Sequence, residues 1–150
     1  MNKPKVTIYT DGACKNNPGP GGWAAILICD TQSESKEKIV TGSEKHTTNN
    51  RMELLGVINA LNSLRVACNI TLYTDSQYVK NGITKWISNW RNKNWLTSAG
   101  SAVKNQDLWE SLDSATQKHN ISWHWVKAHN GNPFNERVDY LARQAILCDK

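Results

Sequence analysis

The chain has 150 residues, a size that suits one domain built around one substantial hydrophobic core. Hydrophobic residues make up 39% of it and charged residues 21%, which are ordinary proportions for a soluble globular protein, and no stretch approaches the roughly 20 apolar residues of a membrane span. The formal net charge of +5 weakly favours a polyanionic partner.

The N-terminus leads straight into a strand-like pattern and contains no signal-peptide core, so we expect a cytoplasmic protein. Its four cysteines are scattered and form no Cys-x-x-Cys pair, which argues against disulfides and against a zinc site. The size and the lack of a long apolar seam predict a monomer.

The first strand is predicted from the alternation of Val6, Ile8 and Thr10 with polar neighbours, and this pattern ends at Asp11. A loop rich in Gly and Pro follows, up to Gly22. The run Ile70–Asp75 repeats the Tyr-Thr-Asp ending of the first strand. If the two strands are parallel neighbours, their terminal carboxylates meet at one edge of the sheet.

The remaining patterns predict the other elements in chain order. They indicate strands over 22–29, 36–42, 70–74 and 121–126, joined in part by polar links over 30–35 and 44–50. The helices are predicted over 51–64, capped by Asn50, from Ser76 with an interruption at Gly82 and a continuation over 84–90, over 107–115, and from Pro133 onward. A projecting loop is predicted over 92–105. Three antiparallel strands followed by alternating helices and strands predict an α/β fold, in which helices flank a five-stranded mixed sheet in a single domain over 1–150.

The stretch from Ser76 to Gln106 carries five Lys or Arg residues and three tryptophans but no Asp or Glu. Interleaved bases and aromatic rings suit a phosphate backbone whose sugars or bases pack on the rings. We call residues 84–105, the projecting part of this stretch, the handle segment.

Asp11 and Asp75 stand where ligands bind α/β sheets, at the carboxyl ends of strands. Each also has a structural interpretation, because Asp11 could shape the turn before Gly12 and Asp75 could cap the next helix. Two aspartates in matching contexts favour a functional site.

Glu53 falls on the apolar stripe of its helix, where an unpaired carboxylate costs several kcal/mol or changes its pKa. A capping box with Asn50 is the structural alternative. Asp139 lies at the edge of the apolar stripe of the last helix, and its alternative is a surface pair with Arg143.

Converging carboxylates repel one another unless a cation lies between them. Oxygen ligands select hard ions such as Mg²⁺ or Mn²⁺, and this arrangement suits two-metal phosphodiester hydrolysis, in which one ion activates a water and the other stabilises the leaving oxygen. His129, in a Gly-containing loop between a strand end and the helix of Asp139, could carry protons near the metals, although a loop histidine is more often simply exposed.

Five segments in register, spread over essentially the whole chain, resemble bacterial ribonuclease HI: Asp11-Gly-Ala-Cys with Asn17-Pro-Gly-Pro-Gly-Gly, Thr48-Asn-Asn-Arg-Met-Glu53, Tyr73-Thr-Asp-Ser-Gln-Tyr78, Trp125-Val-Lys-Ala-His129 and Asn135-Glu-Arg-Val-Asp139. The resemblance implies the ribonuclease H fold and cleavage of the RNA strand of RNA–DNA hybrids, leaving 5′-phosphate and 3′-hydroxyl ends. It implies that Asp11, Glu53, Asp75 and Asp139 hold two Mg²⁺ or Mn²⁺ ions, and that His129 assists protonation or product release.

The resemblance also implies the substrate contacts. Asn17, Asn50 and Gln77 match residues that face the minor groove and the RNA 2′-hydroxyls. Thr48 and Asn89 match residues that hold a DNA phosphate, and Trp86 matches an aromatic residue that packs on a DNA sugar. A structural role for Trp86 and Trp90 is core packing, and we expect at least one of them to be core.

The chain departs from the family pattern at two places. Asn16 stands where the family usually has Gly, a change that a left-handed backbone tolerates. The tip of the handle segment, Leu96–Ala102, carries no charge, which predicts weaker and less salt-dependent binding. Two alternatives to a hybrid endonuclease are a non-catalytic hybrid- or duplex-binding domain and a DNA-directed nuclease of the same fold.

Overall fold

The structure is a computed structural model that describes residues 3–30, 35–126 and 132–148. One mixed sheet has the strand order β3-β2-β1-β4-β5. The elements are β1 (Lys5–Cys14), β2 (Gly19–Asp30), β3 (Ser35–Thr47), α1 (Asn49–Asn62), β4 (Asn69–Thr74), α2 (Gln77–Asn81), a π-helical turn (Gly82–Trp86), α3 (Ile87–Asn92), α4 (Gln106–Gln117), β5 (Asn120–Trp125) and α5 (Pro133–Cys148). The predicted α/β fold, with three antiparallel strands and then two parallel ones, is confirmed.

Strand β1 does not end at Asp11, as the sequence pattern predicted. It continues to Cys14 because β2 keeps pairing with it, from Asp11 opposite Ala24 to Cys14 opposite Gly21. The Gly-rich segment is therefore largely strand, and β2 begins at Gly19 rather than Gly22. The Gly and Pro residues of this segment are typical of a turn, but its backbone groups continue the hydrogen-bond ladder between β1 and β2.

The polar link predicted over 44–50 is also wrong in its first half, since β3 runs to Thr47. Its residues pair with β2 across a register shift near Gly19 and Gly21. They are polar because β3 is an edge strand whose side chains are largely exposed.

The parallel pairing of β1 with β4 is confirmed, with Tyr9 opposite Tyr73. This register places Asp11 and Asp75, each two residues further on, at the same level of the sheet. The repeat of Tyr-Thr-Asp in the sequence is thus a repeat in space. The rings of Tyr9 and Tyr73 stack on each other, and Phe134 of α5 and His124 of β5 extend them to a row with neighbouring centroids 4.8–5.1 Å apart.

Helix α1 begins two residues earlier than predicted. Its N-cap is Thr48, whose Oγ1 accepts a hydrogen bond from Arg51 N at 3.3 Å, so Asn50 is not the cap and forms no capping box with Glu53. At the next helix the cap is Ser76, not Asp75. Both corrections leave a candidate site carboxylate without a capping role.

Gly82 does not interrupt its helix. The helix continues from α2 through the π-helical turn into α3, and Gly82 lies where the fully buried Trp109 ring packs against the backbone. The glycine is required there because any side chain would meet the indole ring. The sequence pattern alone, in which Trp109 is remote, predicted a break in the helix instead.

Beyond α3 the chain forms turns with one bridge between Leu96 and Ala102, so a loop lies where one was predicted, and its projection stays a prediction. Trp86 and Trp90 are half-buried and pack on the main core, as expected for at least one of them. Arg91 of α3, in the first half of the handle segment, forms an ion pair with Asp113 of α4 and so connects this segment to the rest of the domain.

The sheet has a helical layer on each face. Helices α1 and α4 cover the larger core, and α5 covers a smaller one formed by Ala24, Ile26, Val138 and Ala142. Cys14, Cys29 and Cys68 are free thiols, and within the described ranges no helix has the length and apolarity to cross a membrane.

We predict that Gly82→Ala destabilises the protein. A Cβ at this position would lie 1.9 Å from Cη2 of Trp109, so the ring or the helix must move. The cost of overpacking, about 1–3 kcal/mol, exceeds the gain of about 1 kcal/mol in helix propensity. Denaturant unfolding measures the difference. The control is Ser88→Ala at an exposed position of α3, and equal stability of the two variants would contradict the packing argument.

Candidate active site

Four elements deliver four carboxylates to one end of the sheet. Asp11 comes from β1, Asp75 follows β4, Glu53 lies in α1 and Asp139 in α5. Carboxylate oxygens of Asp11, Glu53 and Asp75 lie within 4.8 Å of one another. All four residues line one open cavity of about 590 Å³.

Gly12 allows α1 to come this close. A Cβ at Gly12 would lie 2.5 Å from Glu53 N and 2.5 Å from Met52 C, so a side chain would push α1 away from β1. The glycine beside Asp11 therefore sets the distance between Asp11 and Glu53.

The carboxylates strongly perturb one another. Burial of Asp11, together with repulsion from Asp75 and a hydrogen bond with Asp139, raises the pKa of Asp11 to about 8. Burial and repulsion from Asp11 and Asp75 raise the pKa of Glu53 well above its ordinary value. A hydrogen bond between two carboxyl groups needs a proton, and the raised pKa of Asp11 lets Asp11 keep one at neutral pH when no cation is bound.

One oxygen of Glu53 is buried without a hydrogen-bond partner in the described part of the chain, and bound protons do not explain this. Its Oε2 is buried and has no hydrogen-bond partner among the described residues. A buried oxygen without a donor costs free energy, and an all-oxygen group of this kind fits a hard divalent cation. The donor set therefore fits Mg²⁺ or Mn²⁺ chemically.

Asp139 forms the predicted ion pair with Arg143, at 3.1 Å between Oδ2 and Nη2. The pair does not remove Asp139 from the site, since both residues line the cavity. The structural and functional interpretations of Asp139 thus hold together.

Two of the predicted substrate-contact residues, Asn50 and Gln77, line the cavity with the carboxylates. Asn17 is exposed, and its Oδ1 accepts a hydrogen bond from Asn49 N at 3.0 Å. The side-chain amide of Asn17 is thereby fixed at the start of α1, with its NH₂ group remaining as the donor.

The other predicted residues lie outside the cavity lining. Thr48 caps α1, Asn89 is exposed on α3, and Trp86 packs against Tyr78 with centroids 5.7 Å apart. His129 lies outside the described residues.

Among the cavity-lining residues that the sequence interpretation did not single out are Asn49, Tyr78 and Asn135. Asn135 is buried, which is rare for an amide and marks it as part of the site. All three stood inside the five motif segments, so the motifs contained the signal, but nothing in residue type separated them from their neighbours.

Comparisons with known proteins agree with this geometry. The model of the RNase H family matches residues 3–147. The chain is 57% identical to the ribonuclease H of Hahella chejuensis over 141 residues, which cover 94% of this chain and 93% of that relative.

Two solved structures show the same fold. LC9-RNase H1, a type 1 RNase H with the type 2 active-site motif, is similar with a TM-score of 0.89 and 31% identity, over 97% of this chain and 74% of that one. LC11-RNase H1 in complex with an RNA/DNA hybrid has a TM-score of 0.70 at 19% identity, over 94% of this chain and 96% of that one, which concerns the fold alone.

The chain therefore belongs to the ribonuclease H family and is an endoribonuclease. The family resemblance predicted from the motifs is confirmed. The family depends on metal, and the buried acidic cluster provides a place where one could bind.

We predict that, without divalent metal, stability falls as pH rises. The folded state holds the Asp11 proton up to a pKa of about 8, whereas an ordinary aspartate releases it near 3.8. Between these values the folded state binds more protons, so raising the pH favours unfolding, by at most about 1.4 kcal/mol per pH unit for one proton.

Asp11→Asn should therefore raise the melting temperature at pH 8 in EDTA and flatten the pH dependence, while Mg²⁺ stabilises the parent more than the variant. Glu110→Gln, at an exposed position of α4, is the matched control. An Asp11→Asn profile as steep as that of the parent would show that Asp11 does not hold the proton.

Proposed function

We propose that this endoribonuclease hydrolyses the RNA strand of RNA–DNA hybrids with two divalent cations and leaves 5′-phosphate and 3′-hydroxyl ends. The observation that carries the proposal is the group of carboxylates from four elements at one sheet end, with the orphaned Oε2 of Glu53 among them. We further propose that the chain acts as a single-domain monomer in the cytoplasm, as its size and composition suggest.

Asp11, Glu53, Asp75 and Asp139 are the proposed metal ligands, with Mg²⁺ as the expected ion and Mn²⁺ as a substitute. When bound, the cations supply an activated water and stabilise charge on the leaving oxygen. The chain's own contribution is to place four carboxylates so close together that they give up their protons when a cation arrives. In the hydrolysis itself, water adds to phosphorus, the bond to the 3′ oxygen breaks, and that oxygen takes up a proton.

The proposed reading of the substrate rests on amides rather than on charge. Asn50 and Gln77 border the carboxylates, and Asn17 is held through Asn49 at the same rim. Amides can both donate to and accept from a 2′-hydroxyl, which is the group that distinguishes RNA from DNA. This supports hybrid cleavage over the alternative of a DNA-directed nuclease.

The handle segment and the start of α1 are proposed to bind the DNA strand. Thr48, the N-cap of α1, and Asn89 would hold a phosphate, and Trp86 would present its partly exposed ring to a deoxy sugar. The nearby cations Lys80, Lys85, Lys93 and Lys104 would supply the salt-dependent part of binding.

We predict that Asp11→Asn abolishes Mg²⁺-dependent cleavage of a labelled RNA–DNA hybrid, because removal of one ligand charge leaves the cations poorly held. The assay compares RNA–DNA, RNA–RNA and DNA–DNA duplexes with and without Mg²⁺, and circular dichroism checks that the variant folds. Parent activity on the hybrid alone would support the proposal. Binding without cleavage, or cleavage of the DNA duplex, would favour one of the two alternatives.

We predict that His129→Ala slows turnover far less than Asp11→Asn, because water can carry a proton in place of the imidazole but cannot supply the negative charge of the Asp11 carboxylate. Steady-state kcat on the hybrid at saturating Mg²⁺ measures both variants. An equal loss of kcat would make His129 an essential catalyst instead of an auxiliary one.

A further inference from the structure

Arg51, in the first turn of α1, contacts the place where the handle segment returns to the body of the protein. Its guanidinium binds Asp107 through two hydrogen bonds, Nη1 to Oδ1 at 3.1 Å and Nη2 to Oδ2 at 2.9 Å. Its Nη1 also donates to Asn105 Oδ1 at 3.2 Å. The planar fork of arginine fits such a two-point contact, which lysine cannot reproduce.

Asn105 stands at the N-cap of α4 and has a left-handed backbone, with φ of 60°. An asparagine at this position normally accepts a hydrogen bond from the first turn of its own helix. Here it makes no such bond. Its Oδ1 accepts from Arg51, and its Nδ2 donates to the Tyr78 hydroxyl at 3.1 Å. Its side chain thus joins two other elements and not its own helix.

The Tyr78 hydroxyl is the meeting point of the contacts. It also accepts a hydrogen bond from Trp109 Nε1 at 3.0 Å, and Tyr78 is one of the residues that line the carboxylate cavity, next to Gln77. Trp109 in turn packs against Gly82, which lies just before the handle segment. The Tyr78 hydroxyl is thus bonded directly to Asn105, the last residue of the handle segment, and is linked through Trp109 to Gly82, two residues before that segment begins.

We propose that Arg51, Asn105 and Tyr78 are positioning residues that fix the direction of the handle segment relative to the carboxylates, and thereby set the affinity for a hybrid that contacts both. None of the three is assigned to the chemistry or to direct contact with the scissile phosphate. The proposal rests on the proposed function, since it requires that the handle segment bind substrate.

Tyr78→Phe is the first test variant, because it removes only the hydroxyl and keeps the ring. Asn105→Gly is the second, because glycine keeps the left-handed backbone while it removes the amide. Tyr140→Phe makes the same chemical change at a tyrosine of α5 that is 61% exposed, and serves as the matched control.

We expect each test variant to raise KM for a long hybrid about tenfold, the effect of roughly 1.4 kcal/mol of lost binding, with kcat unchanged within about twofold. The double variant should raise KM no more than either single one, since both break the same connection. The control should keep the KM of the parent. An unchanged KM, or a loss of kcat as large as the loss of affinity, would overturn the proposal.

A double-mutant comparison distinguishes a positioning role of Tyr78 from a role in stability alone. It asks whether the effect of removing a lysine charge from the handle segment depends on the Tyr78 hydroxyl. Lys85→Gln should raise KM in the parent, but by a smaller factor in the Tyr78→Phe background, where the handle segment is already misdirected. An equal factor in both backgrounds would overturn the proposal. If Asn105→Gly fails to fold, Tyr78→Phe alone decides, with its melting temperature as the check. Absence of hybrid cleavage by the parent would instead refute the proposed function.

Discussion

The constraint on which the rest of this structure depends is the mutual repulsion of acidic groups that the fold holds together. Carboxylate oxygens of Asp11, Glu53 and Asp75 lie within 4.8 Å of one another, a distance at which ionised carboxylates repel, and Asp139 borders the same cavity. The protein tolerates them because each is attached to an element that is well packed for other reasons. Burial and this repulsion are the reasons why the pKa of Asp11 is raised when no metal is bound.

The fold maintains the conflict through contacts on both faces of the sheet. Gly12 lets α1 approach β1, so that Glu53 comes close to Asp11. The parallel register of β1 and β4 brings Asp75 to the same level. On the other face, Val138 and Ala142 pack against the sheet and hold α5, with Asp139 between them on the helix. Apolar packing thus holds in place charges that would otherwise move apart.

A second organising element connects this site to the handle segment. The tryptophans whose spacing predicted nucleic-acid binding are largely engaged with one another, and Trp109 is fully buried among them. Their rings pack on the main core, while Lys85, Lys93 and Lys104 are exposed. The aromatic part of the handle segment therefore belongs to the core, and its exposed part is the loop beyond α3.

The sequence by itself determined the fold class, the family and the four carboxylates, because period-two alternation, a repeated Tyr-Thr-Asp and five motif segments are local features. It misplaced the end of β1 and the cap of α1, and it interpreted Gly82 as a break. Only the tertiary structure decided these, because pairing partners and a distant indole ring outweigh local propensity. The same holds for Asn105, whose side chain takes its role from Arg51 and Tyr78, residues remote in sequence that folding alone brings together.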